Sequence, residues 1–363
     1  MSFTDTDVQA ALKSLIDPNT KKDFVSGKSV KNVKVSGNDV SLDILLGYPA
    51  KSVWHEIKAL VESHLSSALP GAGKIEANVS SKVVPHAVQR GVKLVEGVKN
   101  IIAVASGKGG VGKSTTAVNL ALALAAEGAR VGMLDADIYG PSQPTMLGIS
   151  GQPQSPDGKS MQPMMNHGLQ AMSIGFLIDQ DTPMIWRGPM VTQALDQLLN
   201  QTKWDNLDYL VVDLPPGTGD IQLTLAQKVP VTGAVIVTTP QDIALLDARK
   251  GLNMFEKVGI KIVGIVENMS THICSKCGHE EHIFGAGGGG KMCADYDTEL
   301  LGSLPLDIRI REQADSGNPT VVADPDGKLA RDYKQIARRI AVKVAEMAQD
   351  HSAAFPKIVV QNT

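Results

Sequence analysis

The sequence predicts a doubly wound α/β domain with a mostly parallel sheet, preceded by a small α+β domain. Beyond residue 97, short and nearly continuous apolar runs alternate with helical patterns, as is typical of parallel strands covered by helices on both faces. A glycine-rich segment over residues 107–112 separates one of these strands from a helix. Residues 1–82 instead contain alternating apolar and polar strands around a turn, which indicates a separate hairpin.

The small domain is predicted over residues 1–82. Apolar and polar residues alternate on both sides of a turn at residues 36–39, and this pattern predicts the hairpin. Pro70 and Gly71 end an amphipathic helix. A linker is predicted over residues 83–97. The predicted elements are helices over 8–15 and 52–69 and strands over 30–35, 40–46 and 75–79.

The larger domain is predicted over residues 98–350, with a tail over residues 351–363. Ligand sites in this class of fold lie at the carboxyl ends of the strands. The last helix combines basic residues with an apolar stripe; such a helix can lie on a membrane, but we expect it to pack on the sheet. The predicted strands cover 98–105, 129–135, 169–173, 209–213, 233–238 and 260–266, and the predicted helices 116–126, 192–199, 247–258 and 329–349.

Composition and charge argue against several classes of protein. Of the 363 residues, 43% are hydrophobic and 20% charged, as in ordinary globular proteins. A formal net charge of −3 argues against nucleic-acid binding, and no apolar run approaches the ~18 residues that span a bilayer. The N-terminus shows no secretion signal, and three cysteines make a poor disulfide framework. We therefore expect a cytoplasmic protein that binds neither nucleic acid nor membrane.

The strongest motif is a phosphate loop. Its glycines let successive N–H groups converge on a polyphosphate without Cβ clashes, and the helix that follows adds partial positive charge at its N-terminus. In this pattern Lys113 reaches the β- and γ-phosphates and Ser114 binds Mg²⁺. The pattern G-x-x-x-x-G-K-[ST] is formed by Gly107, Lys108, Gly109, Gly110, Val111, Gly112, Lys113, Ser114 and Thr115.

Three carboxylates end two of the predicted strands. Asp213 closes one apolar strand and is predicted to hold the Mg²⁺ shell, usually through water. Gly217 follows it and is predicted to present its N–H to a γ-phosphate. Asp135 and Asp137 point the same way if their strand persists, so that one supports Mg²⁺ and the other orients the attacking water. We assign the water to Asp137.

A lysine at position 108 gives the loop a resemblance to the deviant Walker A motif of the MinD, ParA and nitrogenase iron protein class. This resemblance implies a dimeric ATPase in which Lys108 reaches toward ATP, often across the subunit interface. Over about residues 95–345, further strings resemble the Mrp/ApbC branch of iron–sulfur cluster carrier ATPases and imply that Asn268 contacts the adenine. The N-terminal segment separately resembles the MIP18-like module that precedes this ATPase. The strings are DADIYGPS at 135–142, WRGPM at 186–190, DLPPGTGD at 213–220 and VENMS at 266–270.

Cys274 and Cys277 form a C-x-x-C pair in a short polar loop. Two thiolates cannot complete a metal site, but a two-fold dimer supplies the four that a [4Fe–4S] cluster needs. The resemblance implies this arrangement, with a labile cluster that bridges the dimer. Zinc held by the pair together with Cys293 and His279 or His282 is an alternative, as are a redox pair and structural thiols. We interpret Cys293 as incidental.

Four glycines at residues 287–290 follow the cysteine pair. The run has no lysine–serine pair opening a helix after it, so we do not expect it to bind a second phosphate. We expect it to supply mobility near the metal loop.

The sequence thus predicts a cytoplasmic, homodimeric ATPase that binds ATP, Mg²⁺ and a [4Fe–4S] cluster. Its partners would be a cluster-assembly scaffold and apo iron–sulfur proteins. Two alternatives remain from the sequence alone. One is a ParA- or MinD-like positioning ATPase, which has no use for the cysteine pair, and the other is a zinc-stabilised regulatory ATPase.

Overall fold

The computed structural model describes residues 3–86, 94–178, 188–274 and 276–352, with only the backbone of residues 220, 221 and 348–352. Residues 186 and 187 of the WRGPM string, Ser275 between the paired cysteines, and parts of the predicted linker and tail lie outside the described residues. The chain divides into two compact units. One comprises Met1–Val84 with Ala126–Gly128, and the other Pro85–Ala125 with Ala129–Thr363. The boundaries given above for the domains, linker and tail stay predictions.

The first unit is a three-stranded sheet with two helices, and the predicted hairpin is present. Its first two strands are antiparallel, and its third pairs in parallel with the second. On the second strand, alternate residues from Val40 to Leu46 are buried, and the second helix buries Ile57, Val61 and Leu65 at helical spacing. The elements are α1 Asp5–Leu12, β1 Val30–Ser36, β2 Asp39–Leu46, α2 Trp54–Ala68 and β3 Ile75–Ser81.

The second unit contains an eight-stranded sheet in the order β13-β10-β9-β4-β8-β5-β7-β6 and a small separate hairpin, β11–β12. All pairings in the large sheet are parallel except the edge pair β6–β7. The doubly wound fold predicted from the sequence is therefore confirmed. The strands are β4 Ile101–Ala105, β5 Val131–Asp135, β6 Met164–Asn166, β7 Leu169–Ser173, β8 Tyr209–Asp213, β9 Gly233–Thr238, β10 Ile262–Glu267, β11 His272–Ile273, β12 Glu280–Glu281 and β13 Leu300–Ser303.

The helices of the second unit include several that the sequence patterns did not predict. The unpredicted helices α4, α6, α8, α9 and α10 have four to nine residues, too few turns for a clear periodicity. Helix α7 begins at Asp242 rather than at residue 247, because exposed Ile243 and Leu246 obscure its apolar stripe. The helices are α3 Lys113–Ala126, α4 Gln143–Met146, α5 Gly188–Asn200, α6 Asp220–Lys228, α7 Asp242–Lys257, α8 Gly288–Asp295, α9 Ile308–Asp315, α10 Thr320–Ala323 and α11 Lys328–Ser352.

The centre of the sheet brings the predicted phosphate loop and two carboxylates to one edge. Strand β4 lies between β8 and β9, and every residue of β4, β5 and β8 is buried. The parallel register places Asp135 directly opposite Asp213. Because parallel strands end at the same edge, the loop after β4 starts beside both carboxylates.

Helix α11 packs on the sheet, as expected from its apolar stripe. Tyr333, Ile336 and Ile340 are buried, and the helix contacts β10 and β13. Its basic residues also engage the protein, since the Arg339 guanidinium donates to a backbone carbonyl at 2.9 Å and Lys343 pairs with a glutamate at 2.8 Å. No helix among the described residues is both long and apolar enough to cross a bilayer.

The glycine run after the cysteine pair is mostly helical, whereas the sequence favoured a flexible stretch without regular structure. Residues 288–290 form the first turn of α8. A Cβ on Gly288 would lie 2.7 Å from both the Leu245 side chain and the Pro240 carbonyl oxygen, whereas a Cβ on Gly290 would meet nothing within 4 Å. Glycine is therefore required at position 288 because α8 lies against the segment between β9 and α7.

Gly288→Ala is expected to lower the free energy of unfolding by about 1–3 kcal/mol, since the added methyl group overpacks this contact. Gly290→Ala is the matched control and should be neutral or stabilising, because alanine favours a helix over glycine by up to about 1 kcal/mol. Urea unfolding followed by circular dichroism measures both. Equal unfolding midpoints for the two variants would show that the close approach is not a constraint.

Candidate nucleotide-binding site and cysteine hairpin

The loop between β4 and α3 has the backbone geometry of a phosphate loop. Gly110 and Gly112 have φ angles of +80° and +77°, a region that favours glycine. A Cβ on Gly107 would overlap the backbone of Asp247 on α7, and a Cβ on Gly112 would overlap the Asn268 side chain. Three of the loop's four glycines are therefore dictated by conformation or close packing.

The loop lysine is held in a buried ion pair. The Lys113 ammonium contacts Oδ1 of Asp213, and the exposed fractions of the two side chains are 6% and 0%. The ammonium also donates to Oγ of Ser114 at 3.1 Å. A phosphate that reaches this lysine therefore competes with the Asp213 carboxylate for the ammonium.

Gln143, a residue that the sequence analysis did not single out, joins this pair. Its amide Nε2 donates to Oδ2 of Asp213 at 2.9 Å and to the Ser114 carbonyl at 3.2 Å. Both oxygens of Asp213 are thus engaged by protein donors. The sequence indicates a role for Gln143 only through its position directly after the string at 135–142, because a single glutamine forms no motif of its own.

Asp135 is fully buried and holds the segment that carries Gln143. Burial and then the nearby charge of Asp213 raise the pKa of Asp135 to about 7, while the N–H donors oppose this shift. With both oxygens occupied by protein donors, it acts here as an anchor for the segment after β5. Those donors are the N–H groups of Asp137, Ser142 and Gln143 and the Ser173 hydroxyl, at 3.0–3.1 Å.

Asp137 lies beyond the end of β5, so strand alternation does not align it with Asp135. It is half-buried, and Oδ1 accepts the Gly140 N–H at 3.3 Å. Burial raises the pKa of Asp137, while the Lys113 ammonium lowers it. The carboxylate is therefore close enough to the loop lysine to feel its charge and remains partly accessible. Its role toward the attacking water stays a prediction.

Gly217 and Asn268 both make bonds within the protein that differ from their predicted contacts. The Gly217 N–H donates to the Ser106 carbonyl at 2.9 Å, so a γ-phosphate would have to displace that bond. The Asn268 side-chain amide donates to the Val111 carbonyl at 2.9 Å and thereby helps to hold the phosphate loop in place. Contact of Asn268 with adenine stays a prediction.

Lys108 projects from the same loop and is half-buried. Within the described parts of the chain, its ammonium makes no ion pair. It thus differs from Lys113, which is committed to Asp213. An unpaired ammonium beside the phosphate loop is available for a ligand or a second subunit.

The side chains at this edge fit a magnesium ion. Mg²⁺ prefers oxygen ligands and keeps several waters. The Ser114 hydroxyl and the Asp213 carboxylate lie within one hydrogen-bonded cluster, and the buried oxygens Oγ of Ser142 and Oε1 of Gln143 have no hydrogen-bond partner among the described residues. These oxygens are suited to ligate the ion or to accept bonds from its water shell.

The cysteine pair lies on the β11–β12 hairpin. The Cys274 N–H donates to the His279 carbonyl at 2.9 Å, and the Gly278 N–H donates back to the Cys274 carbonyl at 2.9 Å. Backbone N–H groups of Cys277 and Lys276 bond the Cys274 sulfur and lower the pKa of its thiol. Cys274 is half-exposed and Cys277 exposed, so both sulfurs are accessible at the surface of the unit.

The other residues considered for a zinc site do not cluster with the pair among the described residues. His282 directs Nδ1 to the Ser270 carbonyl at 2.9 Å, and His272 on the opposite strand of the hairpin directs Nδ1 to the Leu306 carbonyl at 3.1 Å. Cys293 is buried on α8, where burial and neighbouring glutamates raise the pKa of its thiol to about 11. Across residues 3–352, apart from the undescribed gaps, no three histidine, cysteine, aspartate or glutamate side chains gather as a metal site. The zinc cage considered above is therefore not assembled within one chain.

Comparison with profiles of protein families identifies the family of the larger unit. The profile described as NUBPL iron-transfer P-loop NTPase matches residues 97–341. The chain belongs to this family. A second profile, described as an iron-sulfur cluster assembly protein, matches residues 5–79 of the same chain. The resemblance inferred from the motifs is thereby confirmed.

Individual relatives agree with the family. The chain is 52% identical over 338 residues to a protein of Escherichia coli K12 named iron-sulfur cluster carrier protein, covering 93% of this chain and 91% of the relative. It is 52% identical over 250 residues to the mouse iron-sulfur cluster transfer protein NUBPL, covering 68% and 78%.

Solved structures support the same fold. A nucleotide-binding protein of Archaeoglobus fulgidus, in complex with ADP, superposes with a TM-score of 0.57 at 35% identity, covering 66% of this chain and 91% of its own. The cell division ATPase MinD of Pyrococcus furiosus superposes with a TM-score of 0.50 at 22% identity, covering 66% and 98%. The MinD likeness concerns the fold alone.

Proposed function

We propose that this NTPase binds and hydrolyses ATP and carries a [4Fe–4S] cluster, shared by two copies of the chain, to apo iron–sulfur proteins. One observation carries the proposal: an accessible pair of thiols, one with a lowered pKa, lies on the hairpin that follows Asn268, the residue whose side chain bonds the phosphate loop. The names of the relatives from Escherichia coli and mouse support the same activity.

On the nucleotide side, the Lys113 ammonium would leave Asp213 for the β- and γ-phosphates. Ser114 and Asp213 would hold Mg²⁺, which neutralises charge on the phosphates. Half-buried Asp137 would orient the attacking water, since burial raises its pKa and favours proton acceptance. Unpaired Lys108 would reach the ATP of the other subunit.

On the cluster side, each chain supplies two accessible thiols, whereas a [4Fe–4S] cluster takes four. A two-fold axis beside the hairpin would bring Cys274 and Cys277 from both copies together. A cluster so held is exposed to exchange, which suits a carrier that loads from an assembly scaffold and delivers in the cytoplasm. We infer that the first unit recruits one of these partners.

A short bonded path joins the two sides. Asn268 bonds the Val111 carbonyl of the phosphate loop, and two residues later the Ser270 carbonyl accepts a bond from His282 at the end of the hairpin. Movement of the loop on nucleotide binding or loss would therefore reach the backbone that presents the cysteines. This path is the basis on which we propose that nucleotide state alters cluster retention.

Anaerobic reconstitution with iron and sulfide tests the proposal. We expect one cluster per two chains by iron analysis and visible absorption, a dimer by light scattering, and transfer to an apo-acceptor that differs with and without ATP. A protein that stays monomeric with iron and ATP present would contradict the shared cluster. Zinc in place of iron in protein purified without oxygen would instead favour a zinc-stabilised regulatory ATPase.

A further inference from the structure

Gln143 has one buried polar atom without a hydrogen-bond partner among the residues that the structure describes. The residue is 1% exposed, and both hydrogen bonds of its side chain, to the Asp213 carboxylate and the Ser114 carbonyl, are to acceptors. The atom that makes them must therefore be the amide NH₂. Within the described parts of the chain, the carbonyl oxygen Oε1 is then buried with no hydrogen bond, and such an oxygen costs stability unless a ligand donates to it.

We propose that Gln143 is a positioning residue for the Mg²⁺–nucleotide complex: its NH₂ fixes the Asp213 carboxylate while its carbonyl oxygen accepts a hydrogen bond from a water of the metal shell. The inference rests on the proposed function, because it requires that a Mg²⁺–nucleotide complex binds here. It adds a role for a residue that no phosphate-loop pattern contains.

The NH₂ group has a role during the exchange of partners at Asp213. When Lys113 moves to the phosphates, Oδ1 of Asp213 loses its partner, but Oδ2 remains bonded to Gln143. The carboxylate therefore keeps its orientation and presents Oδ1 to the metal shell. Without Gln143, the same carboxylate would be fixed by neither group once the lysine has left.

The carbonyl oxygen requires a donor, and a magnesium shell supplies one. Mg²⁺ keeps several of its waters in protein sites, and water bound to a cation is a strong hydrogen-bond donor. The backbone N–H groups of Ser142 and Gln143 are not free for this oxygen, because both bond Asp135. A water of the metal shell would supply the donor.

Asp135 gives Gln143 a fixed backbone. Its buried carboxylate accepts the N–H groups of residues 142 and 143 at 3.0 Å each. Asp135 therefore fixes the backbone of Gln143, and the Gln143 side chain in turn fixes the Asp213 carboxylate.

The test is Gln143→Met, which keeps the length of the side chain and removes both polar atoms. A fluorescent ATP analogue is titrated into the full chain in EDTA and then at increasing Mg²⁺. In EDTA, we expect the affinity to stay within about twofold of that of the unsubstituted protein. The half-saturating Mg²⁺ concentration should rise about tenfold, which corresponds to the loss of one charge-assisted hydrogen bond. Gln197→Met, on the exposed face of α5, is the matched control and should change neither value.

Gln143→Glu separates the two roles, because it keeps an acceptor oxygen and loses the NH₂. Its half-saturating Mg²⁺ concentration should rise less than that of Gln143→Met, because the acceptor oxygen is retained although the Asp213 carboxylate loses its NH₂ donor. The inference is overturned if Gln143→Met leaves the Mg²⁺ midpoint unchanged, if it weakens binding equally in EDTA and Mg²⁺, or if both variants raise the midpoint alike. Absence of Mg²⁺-dependent nucleotide binding by the unsubstituted protein would defeat the proposed function itself and this inference with it.

Discussion

Lys113→Ala is expected to abolish measurable nucleotide binding and also to destabilise the nucleotide-free protein. The lysine is the buried partner of Asp213, so its loss leaves an uncompensated carboxylate at 0% exposure. Breaking such a pair costs about 3–5 kcal/mol, and loss of the phosphate contacts should weaken nucleotide affinity by about 100-fold or more. Calorimetric titration and urea unfolding measure the two effects separately.

A double variant distinguishes the two consequences. Lys113→Met combined with Asp213→Asn removes both charges, and the asparagine carbonyl can still accept a bond from Gln143. We expect it to recover most of the lost free energy of unfolding while still failing to bind nucleotide. If the double variant were as unstable as Lys113→Ala, the ion pair would not be the cause. Unaltered nucleotide affinity in Lys113→Ala would remove Lys113 from the binding site.

The phosphate loop could be predicted from sequence because its pattern is tied to backbone geometry. Gly110 and Gly112 adopt left-handed conformations that few other residues tolerate, and Gly107 lies against α7 where a Cβ does not fit. The strands around it were predictable for a related reason, since burial on both faces demands continuous apolar runs. In each case one physical constraint fixes residue type at a definite spacing.

Gln143 and the glycine run show where that reasoning stops. The function of Gln143 depends on its distance to Asp213, 70 positions away in sequence, and its residue type is common in exposed loops. At Gly288 the run indicated mobility, but the packing of α8 against Leu245 is what requires glycine. Long-range contacts of this kind leave no periodic trace in the chain, so only the fold reveals them.

Replacing both Cys274 and Cys277 by serine is expected to abolish cluster binding while leaving nucleotide affinity within about twofold. The hairpin is held by backbone bonds, including those between Cys274 and His279, so serine should preserve its shape but cannot replace a thiolate as an iron ligand. Cys293→Ala is the control. Its thiol is buried with a raised pKa, and iron content should not change. Loss of metal in that variant would instead indicate the zinc cage.

Mixed dimers test whether one cluster is shared by the cysteine pairs of two chains. If the cluster needs both pairs, a dimer of one unsubstituted chain and one double-serine chain holds none. With the two chains mixed in equal amounts before reconstitution, random pairing leaves about one quarter of dimers with four thiols. Iron per chain should then fall to about one quarter of the unsubstituted value, rather than to the half expected if each chain bound metal alone. Because the outcomes differ by about twofold, iron analysis separates a shared cluster from two independent sites without a crystal of the dimer.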